Sequence, residues 1–170
     1  MFLFAAHTGA RRSEILRSRI EDFDFELRTV HIREKKRSRK RAMTFRRVPM
    51  SAKLCQEMRV WLSQHPGGQF LISRQAEKGE GRAVTTNVAT QQFKHALKGT
   101  KWGGRVRGFH VLRHSFASNA AAAGVDVGMI DAWMGHQTEE MRNRYRHLFP
   151  KRQQSAIDRV FPNQKRAKAG

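Results

Sequence analysis

Cysteine is nearly absent: Cys55 is the only one in 170 residues. A lone thiol can close no internal disulfide and build no Cys-rich zinc site, so the chain reads as intracellular, with the cytoplasm as the expected compartment. Long apolar runs are missing too. Nothing approaches the roughly 18 consecutive apolar residues of a membrane-spanning helix. The apolar opening Met1–Ala6 has no basic segment and is too short for a signal peptide. Acidic residues are scarce, 14 Asp+Glu against 34 Lys+Arg, for a formal net charge of +20. Such an excess repels itself unless it meets a polyanion. Nucleic acid is the first expected partner and an anionic membrane surface the second. What the sequence does contain is 11 Phe, three Trp and an Ala-rich stretch, enough for one globular core at this length.

The periodicity predicts a mainly α chain with a small antiparallel β-sheet (α+β). Phe2–Ala6 reads as the end of a buried helix with no cap before it, as expected for a fragment of a longer protein. Thr8-Gly9 breaks that helix, and Ser13 is the expected cap of a short one carrying Ile15 and Leu16. Glu21–Asp24 reads as a polar turn. Thr29–Arg33 (TVHIR) alternates and is rich in β-branched residues, which predicts a strand. Arg46–Met50 (RRVPM) predicts its partner, with Pro49 suited to a strand end or edge. Ser51–His65 predicts a helix capped by Ser51 and stopped at Pro66-Gly67-Gly68. After a polar loop, Arg74–Arg82, Thr86 or Asn87 is the expected cap of a helix over Val88, Phe93 and Leu97. His110–Ala123 predicts a buried helix ended by Gly124. Asp126 caps the next, ended by Gly135, and Thr138 starts another running to about His147. The tail 151–170 holds Ile157, Val160 and Phe161 on an amphipathic turn or two, then a basic end expected to be disordered.

Four clusters carry candidate chemistry. In Thr8-Gly9-Ala10-Arg11-Arg12-Ser13-Glu14, the glycine permits a sharp turn and Arg11 projects beside backbone N–H groups, an arrangement that suits phosphate. Two solvated arginines at an ordinary helix start are the plain alternative. Between Arg33 and Arg47 stand nine basic residues and one acid, on the predicted hairpin. A two-stranded ribbon fits a DNA groove and its charges release counterions; a solvated charged loop competes with that reading. In His110-Val111-Leu112-Arg113-His114, the two histidines and Arg113 share one helix face. Histidines at i and i+4 can bind metal, but no third ligand is evident and no metal is expected. His110 and Arg113 together could hold two oxygens of one phosphate, while His114 reads as a satisfied core residue. Finally, Trp133-Met134-Gly135-His136 is followed nine residues later by Tyr145, the only tyrosine, flanked by Arg142, Arg144, Arg146 and His147. Nearby cations would favour its phenolate.

TGARRSE, the H-x-x-R of HVLRH, MGH, and a Tyr nine residues beyond that His, in this order, resemble the tyrosine recombinase (phage integrase) family. The resemblance covers Thr8 to about Tyr145. Ala10 and Met134 stand where the family often has leucine. The resemblance implies a catalytic domain at 1–150, with an N-terminal core-binding domain absent from this chain, and a tail at 151–170 that packs in trans or folds back. It implies Arg11, Lys36, His110, Arg113, His136 and Tyr145 as catalytic residues, with Lys35 second to Lys36 as the hairpin lysine. The DNA-contacting set expected beside them is Arg33, Lys35, Arg37, Arg39, Lys40, Arg41, Arg105 and Arg107.

The implied activity is cofactor-free, metal-free cleavage and rejoining of double-stranded DNA through a 3′-phosphotyrosyl bond. Arg11 and Arg113 would neutralise the phosphate as always-charged forks. His136 would hydrogen-bond a nonbridging oxygen, His110 would accept the phenol proton, and Lys36 would protonate the leaving 5′-oxygen. The family implies a homotetramer on DNA for the full-length enzyme, with a monomer or weak dimer expected in isolation and no membrane partner. Two rivals stand beside this: a recombinase-derived DNA-binding module without catalysis, and a basic RNA- or ribosome-associated protein that needs no Arg/His/Tyr set.

Overall fold

The computed structural model describes residues 1–34, 44–76, 79–106 and 108–135. Within them lie six α-helices and two small antiparallel sheets. Helix α1 (Phe2–Thr8) leads through Gly9 to the four-residue α2 (Arg12–Ile15). A three-stranded sheet follows in the order β1 (Phe23–Asp24), β2 (Thr29–Arg33), β3 (Phe45–Pro49). Then come α3 (Ala52–Ser63), a minimal hairpin of β4 (Ser73–Arg74) and β5 (Arg82–Ala83), α4 (Thr86–Leu97), α5 (His110–Ala123) and α6 (Val127–Met134). Among the described residues no helix is long and apolar enough to cross a membrane.

The predicted strand Thr29–Arg33 forms with those bounds, its odd and even positions alternating outward and inward. It pairs with β3 in a register that sets Val30 opposite Val48 and Ile32 opposite Arg46. β3 is the outer strand, so Pro49, which lacks an N–H, costs the sheet no interior hydrogen bond. Val30, Ile32 and Val48 point inward and join Phe4, Ile15, Leu54 and Leu71 in one fully buried core. On α3 the buried face is Leu54, Cys55 and Met58, and the Ser51 hydroxyl caps the helix by accepting from Leu54 N–H at 3.2 Å.

Several boundaries differ from the sequence expectations. Helix α2 begins at Arg12 with Arg11 as its N-cap. Ser13 lies exposed inside it, because the Glu14 carboxylate reaches back to the Arg11 N–H at 2.8 Å and does the capping. The cap of α4 is Thr85, whose hydroxyl accepts from Val88 N–H, not Thr86 or Asn87. Glu21–Asp24 is a 3-10 turn (Ile20–Asp22) running into β1, not a plain turn. Arg74 and Arg82 pair across β4 and β5 at the neck of what read as a loop. Helix α5 has its predicted ends, with Gly124 at φ 85° as its C-cap, but it is half-buried rather than buried. Its inward stripe is Arg113, Ala117 and Ala121, an arginine followed by two small residues.

Two packing features aim α5 at the α1–α2 junction. Phe2, Phe93 and Phe109 form an aromatic knot, with Phe93 and Phe109 centroids 5.0 Å apart, and this anchors the start of α5 against α1 and α4. Gly9 supplies the other. It sits at φ 62°, closing α1, and a Cβ there would lie 2.6 Å from Phe116 Cδ1 on α5. Gly9→Ala should therefore lose about 1–2 kcal/mol to the left-handed backbone, plus the displacement of Phe116, read as a shift in urea midpoint with unchanged slope.

Candidate active site

Arg11, His110 and Arg113 line one open cleft of about 250 Å³, with Ala10, Arg12, Ser13, Thr86, Gly108 and Phe109 completing its wall. The three come from segments far apart in the chain. Arg113 is almost fully buried, at 2 % exposure, and its Nη1 donates to the Gly9 carbonyl at 2.6 Å across 104 residues. That bond ties α5 to the backbone turn from which Arg11 projects. His110 is exposed on the first turn of α5, one turn before Arg113. His114 lies half-buried, its ring 6.4 Å from that of His110. Among the described residues, no group of three or more His, Cys, Asp or Glu is arranged to hold a metal ion.

Arg11 is held by Glu14. One carboxylate oxygen accepts from the Arg11 N–H, and the other accepts from Arg11 Nη1 at 3.0 Å. Glu14 is itself buried, at 2 % exposure, and faces a second arginine, Arg46 of β3. Arg46 donates to both Glu14 oxygens, at 2.7 and 3.1 Å. Burial pushes the Glu14 carboxyl up, but the hydrogen bonds and charge of Arg46, helped by Arg11, outweigh it and hold the carboxyl below its ordinary range. The sequence places Glu14 in the TGARRSE cluster without a role of its own, and Arg46 does not stand out in it. The available signals were an acid three residues after a cap position, and an arginine at an inward position of an alternating strand.

Arg33, expected to contact DNA, is ion-paired within the fold. Its Nε donates to both Asp22 oxygens at 2.8 Å, and Nη2 reaches Glu21 at 2.7 Å. These bonds raise the guanidinium above its ordinary pKa, the Asp22 hydrogen bond contributing most. The charge is matched inside the fold, and the side chain is only 14 % exposed. Arg105 does stand exposed, on a loop where Trp102 is half-exposed with the Lys101 ammonium 5.1 Å from its ring. Lys35, Lys36, Arg37, Arg39, Lys40, Arg41, Arg107, His136 and Tyr145 lie outside the described residues.

The sequence profile of the phage integrase family matches residues 1–152. The chain belongs to that family. Among its relatives are the integrase of Salmonella phage P22, 25% identical over 86% of this chain and 38% of its own length, and the tyrosine recombinase XerA of Pyrococcus furiosus, 27% identical over 90% and 51%. The chain thus spans about half the length, or less, of the curated relatives it matches. The fold is that of tyrosine recombinase catalytic domains. The XerH site-specific recombinase bound to difH substrate in a pre-cleavage complex superposes with a TM-score of 0.69, at 23% identity over 95% of this chain and 46% of that one. The catalytic domain of bacteriophage HP1 integrase gives 0.57, at 24% identity over 96% and 83%. As an integrase-family chain, it places its TGARRSE and HVLRH segments on the two walls of a single cleft.

Proposed function

We propose that residues 1–150 are the catalytic domain of a site-specific DNA recombinase that breaks and rejoins double-stranded DNA through a 3′-phosphotyrosyl intermediate, with 151–170 as a tail that packs in cis or in trans. The observation that carries this reading is the meeting of Arg11, His110 and Arg113 on one cleft. A cleft with two guanidinium groups and an imidazole suits the scissile phosphate, and the Gly9 and Glu14 contacts limit how far either arginine can swing. In the reaction, the Tyr145 oxygen bonds to phosphorus as the bond to the 5′-oxygen breaks. The phenol proton passes to His110, and Lys36 gives a proton to the leaving 5′-oxygen. Arg11, Arg113 and His136 stabilise charge growing on the nonbridging oxygens. Lys35 is the alternative to Lys36. A second hydroxyl then reverses the sequence and reseals the strand, so no external energy source is needed.

DNA is the proposed partner of the net +20 charge. The surface for it comprises Lys35, Arg37, Arg39, Lys40 and Arg41 of the hairpin with Arg105 and Arg107 before α5. Arg33 is left out, because Asp22 and Glu21 already neutralise it. Binding should weaken steeply with salt, each phosphate contact adding about 0.9 to the slope of log K against log salt.

A nicked duplex that loses its leaving strand after cleavage tests the chemistry. Incubation with the 170-residue chain at low salt should give an SDS-stable protein–DNA adduct. Because Tyr145 is the sole tyrosine, phosphotyrosine recovered on hydrolysis of that adduct can come from no other residue. DNA binding without any adduct would instead identify a non-catalytic DNA-binding module.

A further inference from the structure

The inner face of β3 carries an anomaly. Its inward positions are Arg46 and Val48, and Arg46 sits opposite the fully buried Ile32. An apolar side chain would satisfy that position as Val48 does two residues on, and a buried ion pair gives little net stability over an apolar replacement. Packing therefore does not account for a guanidinium that is 8 % exposed.

Its contacts suggest a different role. Arg46 Nη2 and Nη1 hold Glu14, the residue that in turn holds Arg11. Arg46 Nε donates to the Trp133 carbonyl at 2.7 Å, in the last turn of α6. Arg46 Nη1 also approaches Glu34 at 3.4 Å, and the Glu34 carboxylate accepts from the Thr44 hydroxyl across the neck of the basic hairpin. Gly135 supplies an independent sign of the same junction. At φ 69° it closes α6, and a Cβ there would fall 2.8 Å from Glu34 Oε1 and 3.2 Å from Arg46 Nη1. The chain leaving Gly135 continues directly into His136.

We propose that Arg46 is a positioning residue that sets Arg11, through Glu14, and the turn leading to His136 in one geometry, and ties both to the neck of the basic hairpin. The inference rests on the recombinase reading of the cleft. A planar fork with donors on three nitrogens suits such a link, because it reaches a carboxylate and a carbonyl at once, which a single ammonium cannot do with the same geometry. Hairpin, α2 and α6 come from three separate stretches of chain, and one side chain fixes their mutual distance.

The test compares Arg46→Met and Arg46→Lys with the parent chain in single-turnover adduct formation on the nicked duplex. Rates are expressed per folded molecule, and DNA affinity is measured in parallel. Arg46→Met should slow adduct formation about 100-fold, the cost of a displacement near 1 Å, while DNA affinity holds because a buried side chain makes no phosphate contact. Arg46→Lys should fall between the two. A purely structural role would lower the folded fraction and leave the rate per folded molecule unchanged, and that result overturns the proposal. Amide exchange gives a readout free of catalysis. In Arg46→Met, the amides of Ile15 and Leu16 and those of Met134 and Gly135 should speed up together while β1–β2 pairing stays protected. Faster exchange at one end only, or at neither, also overturns it. If the parent chain forms no adduct, the recombinase reading fails on its own, and the exchange result still decides whether Arg46 links the two ends.

Discussion

Replacing Arg113 by alanine should slow phosphotyrosyl adduct formation about 10²–10³-fold, the usual effect of deleting one preorganised donor to a charge that grows in the transition state. The side chain is buried and lies over the cleft from the inner face of α5, in line with Ala117 and Ala121. Its bond to the Gly9 carbonyl fixes the direction of the guanidinium before any substrate arrives. Alanine removes the charge, leaves the Gly9 carbonyl without that donor and opens a cavity, so stability must be measured beside rate. Arg113→Lys separates the effects. It keeps a positive charge but not the planar fork, and should stay well below the parent rate while losing less stability than alanine. Equal rates for Arg113→Lys and the parent chain would show that charge alone, without orientation, suffices.

The second large effect is on stability. Glu14→Ala should destabilise the fold by about 3–5 kcal/mol, because it strands a buried Arg46 guanidinium without its main partner. Urea denaturation measures this directly. The same pair predicts an acid limb. The folded Glu14 carboxyl lies below its ordinary range, while the unfolded one titrates near pH ~4.3. Above that unfolded value the carboxylate is charged in both states and its stabilisation is fully present. As pH falls from there through the lower folded pKa, the unfolded chain binds the proton first and the stabilisation is lost. A melting-temperature profile from pH 6 down to about 3 should fall, and Glu14→Gln should flatten part of that fall relative to the parent.

Much of the fold could be read from local pattern. The alternation in TVHIR gave β2 to the residue, and Ser51, Gly124, Asp126 and Gly135 marked real helix ends. These signals are short-range: a pleat, a cap, a left-handed glycine. The readings that changed depended on partners distant in sequence or on competition between neighbours. Ser13 is a sound cap by type, yet the helix starts at Arg12, and Glu14, which also pairs with Arg46 32 residues away, accepts from the Arg11 N–H. Arg33 looked like one more cation on a basic ribbon until Asp22 folded against it. The order and spacing of TGARRSE and HVLRH pointed to one site, and the structure gathers Arg11, His110 and Arg113 there. The link behind them, from Arg46 to Glu14 and the end of α6, could not be read because a single sequence does not pair β3 with α2 and α6.

The position of β3 at the rim of the sheet has a consequence for how copies of the chain can meet. A free strand edge invites another chain to add a strand, a common route to aggregation. Here the far edge, β1, is only two residues long. On the β3 side, Pro49 offers no N–H, Arg46 reaches across to the end of α6, and Arg47 adds an exposed positive charge. Two copies aligned edge to edge would set like charges together and find few main-chain donors to share. The described three-stranded sheet thus offers another chain little edge on which to add a strand.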